Sequence, residues 1–146
     1  MDLTAELDAP CPPDVLFAHV EDLDRYPGWL EIVERAEPTD LHPDDDGDAA
    51  WTVDLRGRLG PLARSKRLRM VRTELQAPDL VRFERREHDG RDHSAWTLEG
   101  RVEAAGSGSR LVMRLHYGGS FGGAALERLL RDAIERSRPV LLSQVS

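Results

Sequence analysis

Hydrophobic and polar residues alternate along much of the chain up to residue 117, with the two-residue period that is typical of half-buried β-strands. This alternation predicts strands over residues 2–8, 32–37, 51–56 and 64–73. In each of them one face is more apolar than the other. That face is expected to lie against a hydrophobic core.

Clusters of aspartate, proline and glycine residues separate the predicted strands. Residues 39–48 contain five aspartates, which predicts a solvated loop. Residues 57–61 and 77–79 contain glycine or proline and are predicted to be turns. The strands are therefore expected to form an antiparallel meander, which extends from about Trp51 to Tyr117.

Two hairpin turns predict the register of the last three strands. Two-residue turns at Asp89-Gly90 and Gly106-Ser107 place large apolar residues opposite one another. Both turns put the same residues on the same face, and a slip of one residue would reverse every face. The predicted pairs are Arg85 with Ser94, Phe83 with Trp96, Val81 with Leu98, Val102 with Leu111, Gly100 with Met113, Leu98 with Leu115, and Trp96 with Tyr117.

Two short helices are expected between the first and second strands. Pro13 stands where the first of them begins, because proline suits the first position of a helix. Pro27 prevents this helix from continuing, so a second short helix is expected to carry Trp29.

Apolar residues recur at spacings of three and four in the last stretch, Ser120 to Ser146, which predicts one long amphipathic helix. Ser120 is its expected N-cap. Pro139 is expected to bend or end it, and the glycines before it are expected to let it move as a lid. Its apolar stripe contains Leu126, Leu129, Leu130, Ala133, Ile134 and Leu141.

Composition narrows the class of protein. The 146 residues are expected to form a single domain over 1–146, and no apolar run reaches the ~20 residues that cross a membrane, so membrane insertion is not expected. The single Cys11 and the absence of a signal-peptide pattern predict a cytoplasmic protein. The formal net charge of −7 disfavours nucleic-acid binding. Whether the chain forms a homodimer is left open by the sequence.

The segments 9–16 and 22–30 carry a resemblance to a known family. The first reads Ala-Pro-Cys-Pro-Pro-Asp-Val-Leu and the second Asp-Leu-Asp-Arg-Tyr-Pro-Gly-Trp-Leu. Both are similar to segments of the START-like (SRPBCC) superfamily, which includes polyketide cyclases and aromatases, lipid-transfer domains and plant pollen allergens. The resemblance implies an α+β helix-grip fold. In this fold a curved antiparallel sheet of about seven strands wraps around a long C-terminal helix, with two short helices after the first strand.

The same resemblance implies a cavity between the sheet and the long helix. Because the chain has few aromatic residues, a pocket here would be mainly aliphatic and would suit a small hydrophobic ligand such as a lipid, an isoprenoid or a polyketide-like molecule. Whether the inward residues contact a ligand or only fill a core stays open. The candidate ligand-binding residues are Trp51, Val53, Leu68, Met70, Phe83, Arg85, Ser94, Trp96, Leu98, Met113, Leu115, Tyr117, Leu126, Leu130 and Ile134.

Arg85, Ser94 and Tyr117 are the polar members of this set. Arg85 shares its face with Val81 and Phe83, so it is a candidate anchor for a polar group of the ligand. Alternatively, it lies in water beyond the end of the strand. An enzyme of the polyketide cyclase or aromatase type would use the three polar residues to orient and polarise a polyketone.

Three functions are therefore compared. Ligand binding without catalysis ranks first, because no acid/base pair, nucleophile motif or metal-ligand spacing stands on the predicted inner face, and no cofactor or metal is expected. A cyclase or aromatase ranks second. A protein or ribosome interaction module, as in toxin-like relatives, ranks third. It would use a basic band that contains Arg56, Arg58, Arg64, Lys66, Arg67, Arg69 and Arg72.

Overall fold

The computed structural model describes residues 1–59, 62–120 and 122–146, and these form one seven-stranded sheet with three helical segments. The strands are β1 Asp2–Ala9, β2 Val33–Thr39, β3 Ala49–Leu59, β4 Leu62–Gln76, β5 Leu80–Arg85, β6 Trp96–Ala105 and β7 Gly108–Tyr117. The helical segments are α1 Pro13–Phe17, a 3₁₀ helix over Leu23–Gly28, and α2 Gly123–Val145.

The sheet is antiparallel throughout, and its strand order is β1-β7-β6-β5-β4-β3-β2. The predicted meander is therefore confirmed. The last strand, β7, pairs with the first strand, β1, which forms one edge of the sheet. The α+β helix-grip architecture is confirmed as well. Pro13 opens α1 at its first position, as predicted.

The register of β6 and β7 is the one predicted from the Gly106-Ser107 turn. Trp96 lies opposite Tyr117, and Leu98 lies opposite Leu115. Gly106 has a φ of 59°, a left-handed conformation that suits glycine at a hairpin turn.

The predicted register of β5 and β6 is wrong by two residues. Phe83 lies opposite Leu98, and Val81 lies opposite Gly100. The cause is that β5 ends at Arg85, so residues 86–95 form a longer connection in place of a two-residue turn at Asp89-Gly90. A shift of two residues keeps every side chain on its predicted face.

Two predicted boundaries are also corrected. Strand β3 continues through Gly57 to Leu59, and the rest of the predicted turn, residues 60 and 61, lies outside the described residues. Helix α2 is capped by Gly122, which has a φ of 83°, and not by Ser120. A β-carbon at Gly57 would lie 2.7 Å from Cδ2 of Leu129, so glycine allows α2 to approach β3 closely here.

Helix α2 does not end at Pro139 but continues to Val145. Pro139 is exposed, whereas Leu141 and Val145 beyond it are buried. Burial of these two side chains explains why the last turns stay helical although proline removes one backbone hydrogen bond. Among the described helices, none is both long and apolar enough to cross a membrane.

The helical segments cover different parts of the sheet. Helix α1 packs on β6 and β7, and the 3₁₀ helix packs mainly on β2. Helix α2 contacts β1 at one edge of the sheet and β3 near the other edge. Because the helix spans the sheet between these two contacts, a space is left between it and the central strands.

Candidate functional site

A cavity of about 150 Å³ lies between α2 and the inner face of the sheet. Its wall is almost entirely hydrophobic. The strands contribute Leu3, Ala5, Leu7, Val33, Val53, Leu55, Leu68, Met70, Trp96, Leu98, Leu111, Met113 and Leu115, and α2 contributes Leu130, Ile134 and Leu141.

The 3₁₀ helix and the residues after it form one end of the cavity wall. Tyr26 and Trp29 line the cavity, and the centroids of their rings are 4.8 Å apart. The Tyr26 hydroxyl donates a hydrogen bond to the Val20 carbonyl at 3.0 Å, and Trp29 Nε1 donates one to the His19 carbonyl at 3.1 Å. Complete burial raises the pKa of the Tyr26 phenol, so this hydroxyl stays protonated.

Nine of the fifteen candidate ligand-binding residues line this cavity. They come from the strands β3, β4, β6 and β7 and from α2. They are Val53, Leu68, Met70, Trp96, Leu98, Met113, Leu115, Leu130 and Ile134.

Two aromatic candidates lie in the neighbouring core, outside the described cavity wall. The rings of Trp51 and Phe83 are 5.6 Å apart, and Phe83 contacts Tyr26 edge-on at 6.2 Å. Trp51 Nε1 donates a hydrogen bond to Asp24 Oδ1 at 2.8 Å. These residues hold the 3₁₀ helix on the sheet, and so they support one end of the cavity. Leu126, a third candidate, is partly buried against the core.

Arg85, Ser94 and Tyr117 also lie outside the cavity wall as the structure describes it. The Arg85 side chain is only 6% exposed, and its Nε donates to Glu87 Oε2 at 2.7 Å. A second hydrogen bond joins Arg85 Nη1 to the Ser94 carbonyl at 3.3 Å. The charge of Arg85 is therefore already neutralised within the protein, which the alternation of the strand did not predict.

Three polar residues line the cavity between β1 and α2, and they were not predicted. They are Glu6, Ser137 and Arg138. Arg138 Nη1 donates a hydrogen bond to the Glu6 carbonyl, and its Nε donates to Glu135 Oε1 at 3.1 Å. Ser137 Oγ donates to the Ile134 carbonyl at 2.6 Å. Ser137 and Arg138 stand beside the predicted apolar stripe, four residues after Ala133 and Ile134, which is the signal that places them on the inner face.

Several arginines of the basic band pair with acids in the described part of the chain. Arg67 pairs with Asp54 at 2.7 Å, and Arg72 pairs with Asp48 at 2.8 Å. Arg69 pairs with Asp45 of the aspartate loop at 2.8 Å. Hydrogen bonds from Arg69 hold the pKa of the Asp45 carboxyl well below its usual range. The aspartate loop thus compensates part of the positive charge of the band.

Residues with metal-binding side chains are dispersed in the described part of the chain. No three of its His, Cys, Asp or Glu side chains are grouped so that they could hold a metal ion.

Comparisons with known proteins bear on the whole chain. A family model described as "Polyketide cyclase / dehydrase and lipid transport" matches residues 1–138. A search of curated protein sequences finds no significant match.

Solved structures with the same architecture cover nearly the whole chain. A START superfamily protein from Mycobacterium smegmatis has a TM-score of 0.71 at 12% identity, covering 99% of this chain and 96% of that one. Zhui aromatase/cyclase from Streptomyces sp. R1128 has a TM-score of 0.70 at 12% identity, covering 99% and 93%. Major latex-like protein 151 from Panax ginseng has a TM-score of 0.67 at 10% identity, covering 99% and 97%. Such low identities show a shared fold and nothing more.

Proposed function

The chain belongs to the polyketide cyclase, dehydrase and lipid transport family, and from this premise we propose that it binds a small hydrophobic ligand in the cavity between the sheet and α2. The observation that carries the proposal is the apolar wall of this cavity. Because dispersion and desolvation favour an apolar occupant over water in such a space, a hydrophobic molecule is the occupant that fits it best.

The size of the cavity limits the ligand. An apolar cavity of about 150 Å³ is large enough for a molecule the size of benzene, whereas sites for drug-sized ligands reach about 300–1,000 Å³. The cavity therefore has room for one ring or a short hydrocarbon segment. A longer lipid, isoprenoid or polyketide-like ligand would extend beyond it or displace α2.

Binding is better supported than catalysis. The cyclase or aromatase alternative requires Arg85, Ser94 and Tyr117 beside the ligand, and its support is weaker because none of the three is part of the described cavity wall. Arg85 is also held by Glu87. Cytoplasmic location and oligomeric state stay predictions, and binding in this cavity depends on neither of them.

A cavity-filling variant tests the proposal. Ala5 lines the cavity from β1, and Ala5→Leu adds three carbon atoms there. Ala104→Leu makes the same change at an exposed position of β6 and is the matched control. Binding of α-methylstyrene, an uncharged aromatic hydrocarbon, is measured by NMR from the shifts of methyl resonances in each protein.

The wild type and Ala104→Leu are expected to bind this probe saturably, with shifts of methyl groups in the cavity wall. Ala5→Leu is expected to weaken binding at least about tenfold, since the added atoms occupy the same space, and to leave the fold intact. Equal binding by all three proteins, or no saturable binding by the wild type, would contradict the proposal.

A further inference from the structure

One hydrogen-bond donor in the cavity wall has no partner. The Nε1 group of Trp96 is covered by protein atoms, so that almost none of its surface is accessible to water, and it contacts no acceptor among the residues that the structure describes. Trp96 lines the cavity and is 6% exposed. A buried N–H group that has lost its water and found no acceptor destabilises the folded state, and such groups are uncommon in folded proteins.

The remaining uncharged polar side chains of the wall make a useful contrast. The Tyr26 hydroxyl, Trp29 Nε1 and Ser137 Oγ each donate to a backbone carbonyl at 2.6–3.1 Å. Trp96 is thus the exception within a wall whose other donors of this kind are satisfied. Its ring is also fixed in place, because it packs on Tyr117 with the two ring centroids 4.6 Å apart.

The charges near the cavity argue against an anionic ligand. Arg138, the cationic residue of the described wall, donates to the Glu6 carbonyl and to Glu135. Arg85, close to the end of β5, is paired with Glu87. A carboxylate in this apolar space would lose its hydration without gaining a free cation, which is unfavourable.

We propose that the ligand is an uncharged, mainly hydrocarbon molecule with one acceptor oxygen, and that this oxygen accepts a hydrogen bond from Trp96 Nε1 after the protein atoms that cover this group shift on binding. A ketone, an aldehyde, an ether or an alcohol meets this description, whereas a fatty acid in its ionised form does not. The inference rests on the proposed binding function and adds the polar chemistry of the ligand to it.

Two probes of nearly equal shape test the inference. Acetophenone carries a carbonyl oxygen where α-methylstyrene carries a methylene group. The NMR signal of the Trp96 indole N–H is assigned by its loss in Trp96→Phe. The indole signals of Trp29 and Trp51 serve as internal controls, since both groups already donate to protein oxygens.

Acetophenone is expected to move the Trp96 indole proton downfield, and α-methylstyrene is not. Trp96→Phe is expected to weaken acetophenone binding about fivefold and to change α-methylstyrene binding by less than about twofold. Equal indole shifts with both probes, or equal losses of affinity in the variant, would overturn the inference while leaving hydrophobic binding intact. Failure of both probes to bind would overturn the binding function and the inference together. If Trp96→Phe does not fold, sequential backbone and side-chain assignment of the wild type identifies the Trp96 indole signal, and its shifts with the two probes still decide.

Discussion

Asp45 shows how single residues of the aspartate loop fasten it to the sheet. Its side chain is 1% exposed, and its two oxygens accept hydrogen bonds from Arg69 Nη1 and Nη2 at 2.9 and 2.8 Å. The His88 ring lies 2.8 Å from the same carboxylate. One buried acid thus joins the loop to β4 and to the connection between β5 and β6.

Asp45→Asn is expected to lower the free energy of unfolding by about 3 kcal/mol at pH 7, because it leaves the Arg69 cation without its main partner. Asp44→Asn is the matched control, since the Asp44 side chain is 83% exposed, and it is expected to have almost no effect. Urea unfolding at pH 7 measures both changes. Equal stability of the two variants would contradict this role of Asp45.

The same contacts predict a dependence on pH. The pKa of Asp45 is lower in the folded state than its ordinary value of 3.8, so the unfolded state binds more protons in acid. The stabilisation is complete well above pH 4 and is lost as the pH falls through 4 toward the lower pKa of the folded state. Asp45→Asn is therefore expected to flatten the loss of stability over this range.

At the scale of single residues, sequence predicts the face of a side chain better than its partner. Arg85 lies on the face of the strand that the alternation indicates. Its ion pair with Glu87, two residues further along the chain, is not predicted by the alternation. Trp96 lies in the cavity wall, on the face that the alternation indicates. That its N–H lacks an acceptor depends on every neighbouring atom, and no spacing in the chain encodes it.

Helix α2 is the element on which access to the cavity depends. Arg138 joins it to the Glu6 carbonyl of β1, and Gln144 Nε2 donates to the Gly28 carbonyl at 2.8 Å. Leu129 packs close to Gly57 of β3. Polar contacts at the sides of the helix are easier to open than buried apolar ones, which suits a movable cover.

We expect Arg138→Met to accelerate the dissociation of α-methylstyrene several-fold, because it removes the hydrogen bond that holds α2 to the edge strand while keeping the bulk of the side chain. Arg131→Met is the control, since Arg131 pairs with Glu127 within the helix. NMR exchange measurements give both rates.

Hydrogen exchange gives a second check on the same element. Ligand binding is expected to raise the protection of residues 123–138, because a helix that opens to admit a ligand is closed by it. Unchanged protection with a bound ligand, or equal dissociation rates from both arginine variants, would rule out a lid.

At the scale of elements, the sequence correctly predicts a turn or a helix end where neighbouring residues alone determine it. The Gly106-Ser107 turn predicts its hairpin correctly because both residues belong to the turn. The Asp89-Gly90 turn does not form a two-residue hairpin, and the connection instead contacts residues far away in the sequence, as in the pair of Arg86 with Asp46 at 3.1 Å. Pro139 likewise fails to end α2, since packing of the following turn outweighs the lost hydrogen bond.

The whole molecule explains why the cavity exists. Helix α2 rests near both edges of a curved sheet, so the middle of the sheet stays at a distance from it. Sequence alternation predicts which residues face this space, as nine of the fifteen candidates show. It does not predict the volume, because that depends on the curvature of the sheet and on the 3₁₀ helix that closes one end.

The most direct measurement of ligand binding in this cavity is a crystal structure of the protein soaked in iodobenzene, with anomalous scattering used to locate iodine. We expect an iodine peak between α2 and the sheet, in contact with residues such as Leu68, Leu98 and Leu130. Iodine found only at the surface, or side chains filling the space between helix and sheet, would contradict a binding cavity in this protein.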